Sequence, residues 1–216
     1  MIRVILFDLD DTLYPRSAGI MVEIRRLILD YIQKRFELGP DEADALRDQY
    51  LQTYGTTMRG LQVNHGIDPE EYLRHVHNIA LHKYIKPNGE LDAVLGAISQ
   101  EKVIFTNASR EHAKRVLEVL GIRQHFSRIV DVRDMEFESK PRQSAYERIC
   151  RMLGVEPEEC VLVEDNVRNL CPAKEMGMMT VLVGDVRQAG HHCVDHAVER
   201  VEEIGRVLDG MEERSP

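Results

Sequence analysis

The sequence predicts an α/β protein: a parallel sheet covered by helices on both faces, with a long helical insertion after the first strand. Three features predict it. Short apolar runs recur along the chain, and the first, Val4-Ile5-Leu6-Phe7, ends abruptly at acidic residues. From Lys102 onward such runs alternate with helical stretches closed by glycine, the pattern of repeated strand–helix units. Between roughly residues 20 and 85 no strand pattern occurs at all.

Val4–Phe7 reads as a strand buried on both faces, because its apolar run does not alternate. In the insertion, Ile20, Ile24, Leu27, Ile28, Tyr31, Ile32 and Phe36 recur at helical spacing. Gly39-Pro40-Asp41 then stops one helix and opens the next, and Gly66-Ile67-Asp68-Pro69 repeats that punctuation, with Asp68 as N-cap and Pro69 at the first helical position. Val103–Phe105, Ile129–Val130, Val161–Val163 and Thr180–Val183 read as strands. The helices between them are Glu111–Leu120, Gln143–Leu153 and Val167–Met176, closed by Gly121, Gly154 and Gly177. The expected division is a core of residues 1–16 and 87–216 and a helical cap of residues 17–86, lying above the carboxyl ends of the strands where open α/β sheets bind ligands.

The chain has 216 residues, 43% hydrophobic and 30% charged, enough for a buried core and a solvated surface. A formal net charge of −9 argues against a nucleic-acid polymer as partner, since that needs a basic footprint. No stretch approaches the ~18 apolar residues of a membrane span, and Met1–Phe7 turns acidic too soon for a signal peptide. No membrane partner and a cytoplasmic location are therefore expected. Nothing sets the oligomeric state. Cys150, Cys160, Cys171 and Cys193 include no Cys-x-x-Cys pair and are expected to be four reduced thiols.

The chemistry gathers at strand ends. Asp8-Leu9-Asp10-Asp11-Thr12 follows the first strand. Carboxylates at the end of a buried strand are costly unless a cation matches them. In Asp8-x-Asp10 both carboxylates can face one cleft, one to attack phosphorus and the other to handle the leaving-group proton. Thr106-Asn107 follows the second strand and offers a hydroxyl and backbone N–H groups to a phosphate. Lys140-Pro141 precedes a helix, where the lysine can neutralise both nucleophile and phosphate. Glu164-Asp165 supplies two more hard oxygen donors at a third strand end.

These four groups, in this order, resemble the four motifs of the haloacid dehalogenase-like hydrolase superfamily. The resemblance spans nearly the whole chain and implies a Rossmann-like core with an α-helical cap. It implies Asp8 as nucleophile forming an aspartyl-phosphate, and Asp10 as general acid and then general base. It further implies Thr106 and Lys140 on the phosphoryl oxygens, and Mg2+ held by Asp8, Asp165 and the backbone carbonyl of Asp10; Glu164 stands where many members carry Asp and would reach the metal either directly or through water. An acid at Asp10 suits expulsion of an alkoxide from a phosphate ester, whereas a dehalogenase has no use for it. Hydrolysis of a phosphate monoester calls for up to about 10²¹-fold acceleration, with charge neutralisation and proton donation as the large contributions.

Asp11-Thr12-Leu13-Tyr14-Pro15, Tyr54 through Leu61, Tyr84-Ile85-Lys86-Pro87 and Asp165-Asn166-x-x-Asn169 resemble the pyrimidine 5'-nucleotidase branch. That implies a small phosphorylated metabolite, a pyrimidine nucleoside monophosphate, as substrate. Tyr14, Tyr54, Thr56, Thr57, Arg59 and Asn169 are the candidate substrate contacts. The rivals are a sugar-phosphate phosphatase, a phosphomutase and a binding protein without turnover. His191-His192-Cys193-x-Asp195-His196 lacks a second, distant ligand pair and reads as a polar loop before a final short strand. His75, His77 and His82 read as surface or interhelical residues, and the charged tail from Glu212 to Pro216 as frayed.

Overall fold

The computed structural model describes residues 1–212; the tail from residue 213 lies outside the described residues. Six parallel strands form one sheet: β1 (Val4–Phe7), β2 (Glu101–Phe105), β3 (Arg128–Val130), β4 (Cys160–Glu164), β5 (Met179–Val183) and β6 (His196–Val198). Their order is β3-β2-β1-β4-β5-β6, so the strand the chain lays down first ends up in the middle. The connections run outward from β1 in opposite directions, which opens a crevice at its carboxyl end. Register makes that crevice a shared edge. Phe7 is level with Ile104 on one side and Val163 on the other, so Asp8, Phe105 and Glu164 emerge together.

Alternate strand residues feed two apolar layers. Val4, Leu6, Val103, Phe105 and Leu162 face α7 (Gln143–Leu153) and α8 (Val167–Glu175). Ile5, Phe7, Ile104, Val161 and Val163 face α5 (Gly89–Ala97), α6 (Arg110–Leu120) and α9 (Ile204–Glu212). Burial on both faces is why these strands read as unbroken apolar runs. Two helices escaped the sequence reading. α5 opens on Asn88, whose side chain accepts from the Leu91 amide, but its apolar residues form no one-sided stripe; α9 lies in the charged C-terminal stretch.

Between β1 and α5 the chain forms α1 (Ile20–Phe36), α2 (Pro40–Tyr54), α3 (Thr57–His65) and α4 (Pro69–Val76). Their boundaries follow the sequence signals: Gly39 precedes Pro40 at the start of α2, and Asp68 caps α4 by accepting from the Glu70 amide. These helices are tied to the sheet side by charged residues. Arg133 grips both carboxylate oxygens of Glu70, at 2.5 and 2.6 Å. Arg59 donates to Glu138 at 2.9 Å, and Arg168 donates to the Leu51 carbonyl. Among the described residues no helix is long and apolar enough to cross a membrane.

The cysteines depart from expectation. Cys171 and Cys193 form a disulfide, with Cα atoms 4.8 Å apart, while Cys150 and Cys160 are free and buried. The pair was invisible in the sequence because 22 residues separate it, and only the fold lays the segment between β5 and β6 against α8.

The crossing of α2 and α3 depends on a missing side chain. A Cβ at Gly60 would lie 2.3 Å from Cγ of Tyr50. Gly60→Ala is expected to lower stability by about 1–3 kcal/mol through overpacking, although alanine is the better helix former. Urea unfolding reads this as a lower midpoint with an unchanged slope; an unchanged midpoint would show that the two helices separate without cost.

Candidate active site

Residues from four segments converge at the carboxyl end of β1, β2 and β4. The Asp8 amide donates to the Val163 carbonyl at 2.9 Å, which extends the ladder by one residue and fixes the Asp8 carboxylate at the sheet edge. The chain then turns sharply, with Asp11 at a φ of 63°. This turn brings Thr12 back beside Asp8. The Thr12 hydroxyl donates to Oδ2 of Asp8 at 3.0 Å and accepts from the Asp165 amide at 3.1 Å, joining the loops after β1 and β4.

Lys140 reaches in from the loop before α7. Its ammonium donates to Oδ1 of Asp8 and to Oε2 of Glu164, both at 2.8 Å, and sits 5.0 Å from the centre of the Phe105 ring. Only 1% of Lys140 is exposed. Asn107 clamps its backbone from both sides: Nδ2 donates to the Lys140 carbonyl, and Oδ1 accepts from the Lys140 amide, each at 2.9 Å. The Asn107 side chain is thus occupied in placing the lysine, so Asn107 could meet a phosphate only through the backbone N–H that the sequence reading offered. Thr106 is buried, and its hydroxyl accepts from the Ala108 amide. The helix that follows, α6, starts at Arg110, one residue before the expected Glu111, with Ser109 as its N-cap. Pro141 lies outside α7, ahead of its N-cap Arg142.

Asp8, Glu164 and Asp165 present carboxylate oxygens within 4.8 Å of one another. Burial, followed by the repulsion of Glu164, pushes Asp8 up to about 7, against the pull of Lys140. Burial likewise raises Glu164 to about 7, and burial with the Asp8 charge raises Asp165 to about 6. Burial opposes the charge on Lys140, but Asp8 and Glu164 more than offset it and hold the lysine above its ordinary value. Three carboxylates around one ammonium leave two negative charges unmatched. A divalent cation with oxygen ligands fits that deficit. Glu164 does not point freely at such an ion: Oε2 is on Lys140 and Oε1 accepts from the Asn166 amide.

Asp10 faces a different set of partners. Its Oδ1 accepts from the Tyr14 hydroxyl at 2.5 Å and lies 2.8 Å from Nε2 of His112. Burial disfavours its charge, but His112 and Tyr14 outweigh that and lower its pKa, so it is held as a carboxylate. His112 is fully buried and stacks on His77, with ring centres 4.4 Å apart. His77, at the C-cap of α4, places Nδ1 2.9 Å from the Ser109 hydroxyl. The sequence reading missed His112 because its partner lies 102 residues away. It also left His77 without a role. His75 does lie between helices, beside Asp30, and His82 is exposed.

The expected substrate contacts are divided. The corner between α2 and α3 lies over the lysine loop, since a Cβ at Gly55 would meet Pro141 Cδ at 3.4 Å and the Lys140 carbonyl at 3.6 Å. Yet the side chains of that corner are bonded within the helices. Tyr54 donates to Asn64, Thr56 caps α3 by accepting from the Arg59 amide, and Thr57 bonds the Arg47 carbonyl. Arg59 pairs with Glu138, and Tyr14 is committed to Asp10. Asn169 gives its backbone carbonyl to the Tyr146 hydroxyl.

The raised carboxyl values set a pH dependence. A carboxyl whose folded value lies above its unfolded one costs folding stability once ionised, so for Asp8 that cost grows between about pH 4 and pH 7. A cation binding there must displace the protons that Asp8 and Glu164 retain up to about pH 7. Titration calorimetry with Mg2+ is expected to show affinity falling below pH 7, by about tenfold per pH unit for each proton displaced. Affinity constant between pH 6 and pH 8 would show that the ion does not contact these carboxylates.

Comparison with known proteins agrees with this geometry. A family model described as haloacid dehalogenase-like hydrolase matches residues 2–177. Phosphate metabolism protein 8 of Saccharomyces cerevisiae is 28% identical over 195 residues, covering 83% of this chain and 61% of the yeast protein. Glyceraldehyde 3-phosphate phosphatase of Methanopyrus kandleri is 29% identical over 197 residues, covering 85% of this chain and 84% of its own. The crystal structure of a HAD phosphatase from Thermococcus onnurineus superposes with a TM-score of 0.66 at 21% identity, over 97% of this chain and 99% of that one, a likeness of fold. With its central β1, its strand-end carboxylates and a family match over residues 2–177, the chain belongs to the haloacid dehalogenase-like hydrolases.

Proposed function

We propose that this protein is a magnesium-dependent phosphatase that hydrolyses small phosphate monoesters through a phosphorylated Asp8. The observation that carries the reading is the buried Lys140 ammonium shared by Asp8 and Glu164 in a site with two unmatched negative charges. Such a site favours a divalent cation and a phosphoryl group together. The relatives named as phosphatases support the same chemistry.

In this reading residues 17–86 act as the cap and the rest of the chain as the catalytic core. Asp8 and Asp165, with the backbone carbonyl of Asp10, would hold Mg2+, and Glu164 would reach it through water. The ion supplies neutralisation of the phosphoryl oxygens and of Asp8. Asp8 attacks phosphorus, the ester oxygen leaves with a proton that Asp10 has first taken up from solvent, and an aspartyl-phosphate remains. Asp10 then takes a proton from the water that attacks that phosphorus, releasing phosphate and restoring Asp8. Lys140 and the Thr106 hydroxyl hold the phosphoryl oxygens, and Asn107 positions Lys140. His112 and Tyr14 favour the ionised Asp10, the form required of the base.

The substrate class we propose first is a pyrimidine nucleoside 5'-monophosphate, on the likeness of the segment from Tyr54 to Leu61. Small sugar and acid phosphates come second, on the relatives named glyceraldehyde 3-phosphate phosphatase and phosphoglycolate phosphatase. Phosphate release from UMP, CMP, purine nucleotides, glyceraldehyde 3-phosphate and phosphoglycolate, with Mg2+ and with EDTA, separates the two. Preference for UMP and CMP is expected; preference for the three-carbon and two-carbon esters would move the assignment to the second class, and no Mg2+-dependent release from any would refute the phosphatase reading.

Asp8→Asn is expected to lower kcat by at least about 10⁴-fold with the fold retained by circular dichroism. Retained turnover would remove Asp8 as nucleophile. Asp10→Asn is expected to slow alkyl phosphates by about 10²–10⁴-fold and p-nitrophenyl phosphate much less, because that leaving group needs little protonation. Equal losses on both would make Asp10 a structural residue.

A further inference from the structure

The fold supplies one distant donor, not the second pair, to the His191-His192-Cys193 segment. It brings Cys171, on α8, against that segment, so that one donor atom from each of Cys171, His191, His192 and Cys193 lies within 4.8 Å of the others. Tetrahedral zinc, with bonds of about 2.3 Å to sulfur and about 2.0–2.1 Å to nitrogen, sets its ligand atoms about 3.3–3.8 Å apart. Parting the two sulfurs once the disulfide is reduced, and closing the more distant donors by up to roughly 1 Å through side-chain rotation, completes a Cys2His2 set. His191 and His192 stack with ring centres 4.4 Å apart, and Cys193 is fully buried. The disulfide accounts for the two cysteines; beside it the Cys193 amide donates to Nδ1 of His191 at 3.2 Å, which leaves Nε2 as the His191 atom to meet a metal.

The segment needs an anchor. Residues 186–190 are exposed, and a Cβ at Gly184 or Gly190 would meet nothing within 4 Å. Cys193 is the first fully buried side chain after β5. A covalent bond or a metal at this point fastens the β5–β6 connection to α8, the helix that follows Glu164-Asp165.

We propose that in the reduced protein Cys171, Cys193, His191 and His192 bind one zinc ion. Two thiolates and two imidazoles are soft and borderline donors, suited to zinc and unsuited to magnesium. The disulfide and the zinc site are alternatives. A dithiol reductant delivers two electrons and two protons to the sulfur–sulfur bond, is itself oxidised to a disulfide, and leaves two thiols. Zinc then binds as those thiols release two protons to solvent. In a reducing cytosol the zinc form is the one that persists.

The test is cobalt(II) titration of the reduced, metal-stripped protein, followed by zinc competition. The expected result is one equivalent of cobalt giving a thiolate-to-cobalt charge-transfer band in the near ultraviolet, displaced by zinc. Carboxylate ligands at Asp8, Glu164 and Asp165 give no such band, so the two sites are distinguished. The oxidised protein is expected to show no band, and C171S/C193S to lose it, which excludes the buried pair Cys150 and Cys160. H191A/H192A keeps both thiols, and its oxidised form reports whether it folds; its zinc affinity is expected to fall by at least about 100-fold. Absence of the band in the reduced protein, or unchanged affinity in H191A/H192A, would overturn the proposal.

Discussion

Lys140 brings one ammonium into a space where three carboxylates converge, and much of the molecule serves to keep it there. The cost of burying such a group is several kcal/mol, recovered only with close partners on every side. Asp8 and Glu164 supply the charge at 2.8 Å each, and Phe105 supplies a ring face. The backbone that presents the lysine is fixed by the reciprocal amide bonds of Asn107. The strands that present the carboxylates are held level by the parallel register of β1 with β4. Removing Lys140 would leave Asp8 and Glu164 as buried carboxylates without a cation rather than merely weaken a contact.

The same crowding separates the two aspartates of the first motif. Asp8 lies among negative charges and is raised, whereas Asp10, two residues on, turns to His112 and Tyr14 and is lowered. Two carboxyls of one strand end thus acquire opposite character from their surroundings: Asp8 retains its proton up to about pH 7 unless a cation displaces it, whereas Asp10 is ionised without one. The helical insertion takes part in this. Its His77 stacks on His112, and the Arg115 guanidinium on α6 donates to the carbonyls of His77 and Ile79. The surroundings of Asp10 therefore depend on the helices above the sheet as well as on the sheet.

The core was legible because its signals are local and obey a period. The unbroken apolar run of Val4–Phe7 reports burial on both faces, and glycines at 121, 154 and 177 mark helix ends. Asp8, Lys140, Glu164 and Asp165 were legible as a set because each follows or precedes a recognisable element. His112 was not, since an inward-facing histidine on an amphipathic helix has the same sequence signature as a packed one. Asn107 was legible as a polar residue after a strand, but not as the clamp on Lys140, because its partner is 33 residues away. Cys171 was hidden for the same reason. What failed to show was in each case a side-chain pairing across the fold, which register and loop path decide and local pattern does not encode.

The central claim is that phosphoryl transfer passes through the Asp8 carboxylate. The most direct measurement is acid-quenched mass spectrometry of the Asp10→Asn protein mixed with saturating p-nitrophenyl phosphate and Mg2+, where the leaving group needs little protonation and loss of the general base slows release of the intermediate. The account predicts a peptide containing Asp8 that carries the mass of one phosphoryl group, removable by hydroxylamine. A phosphoryl group on any other residue, or turnover by this protein with Asp8 unmodified throughout, would contradict it.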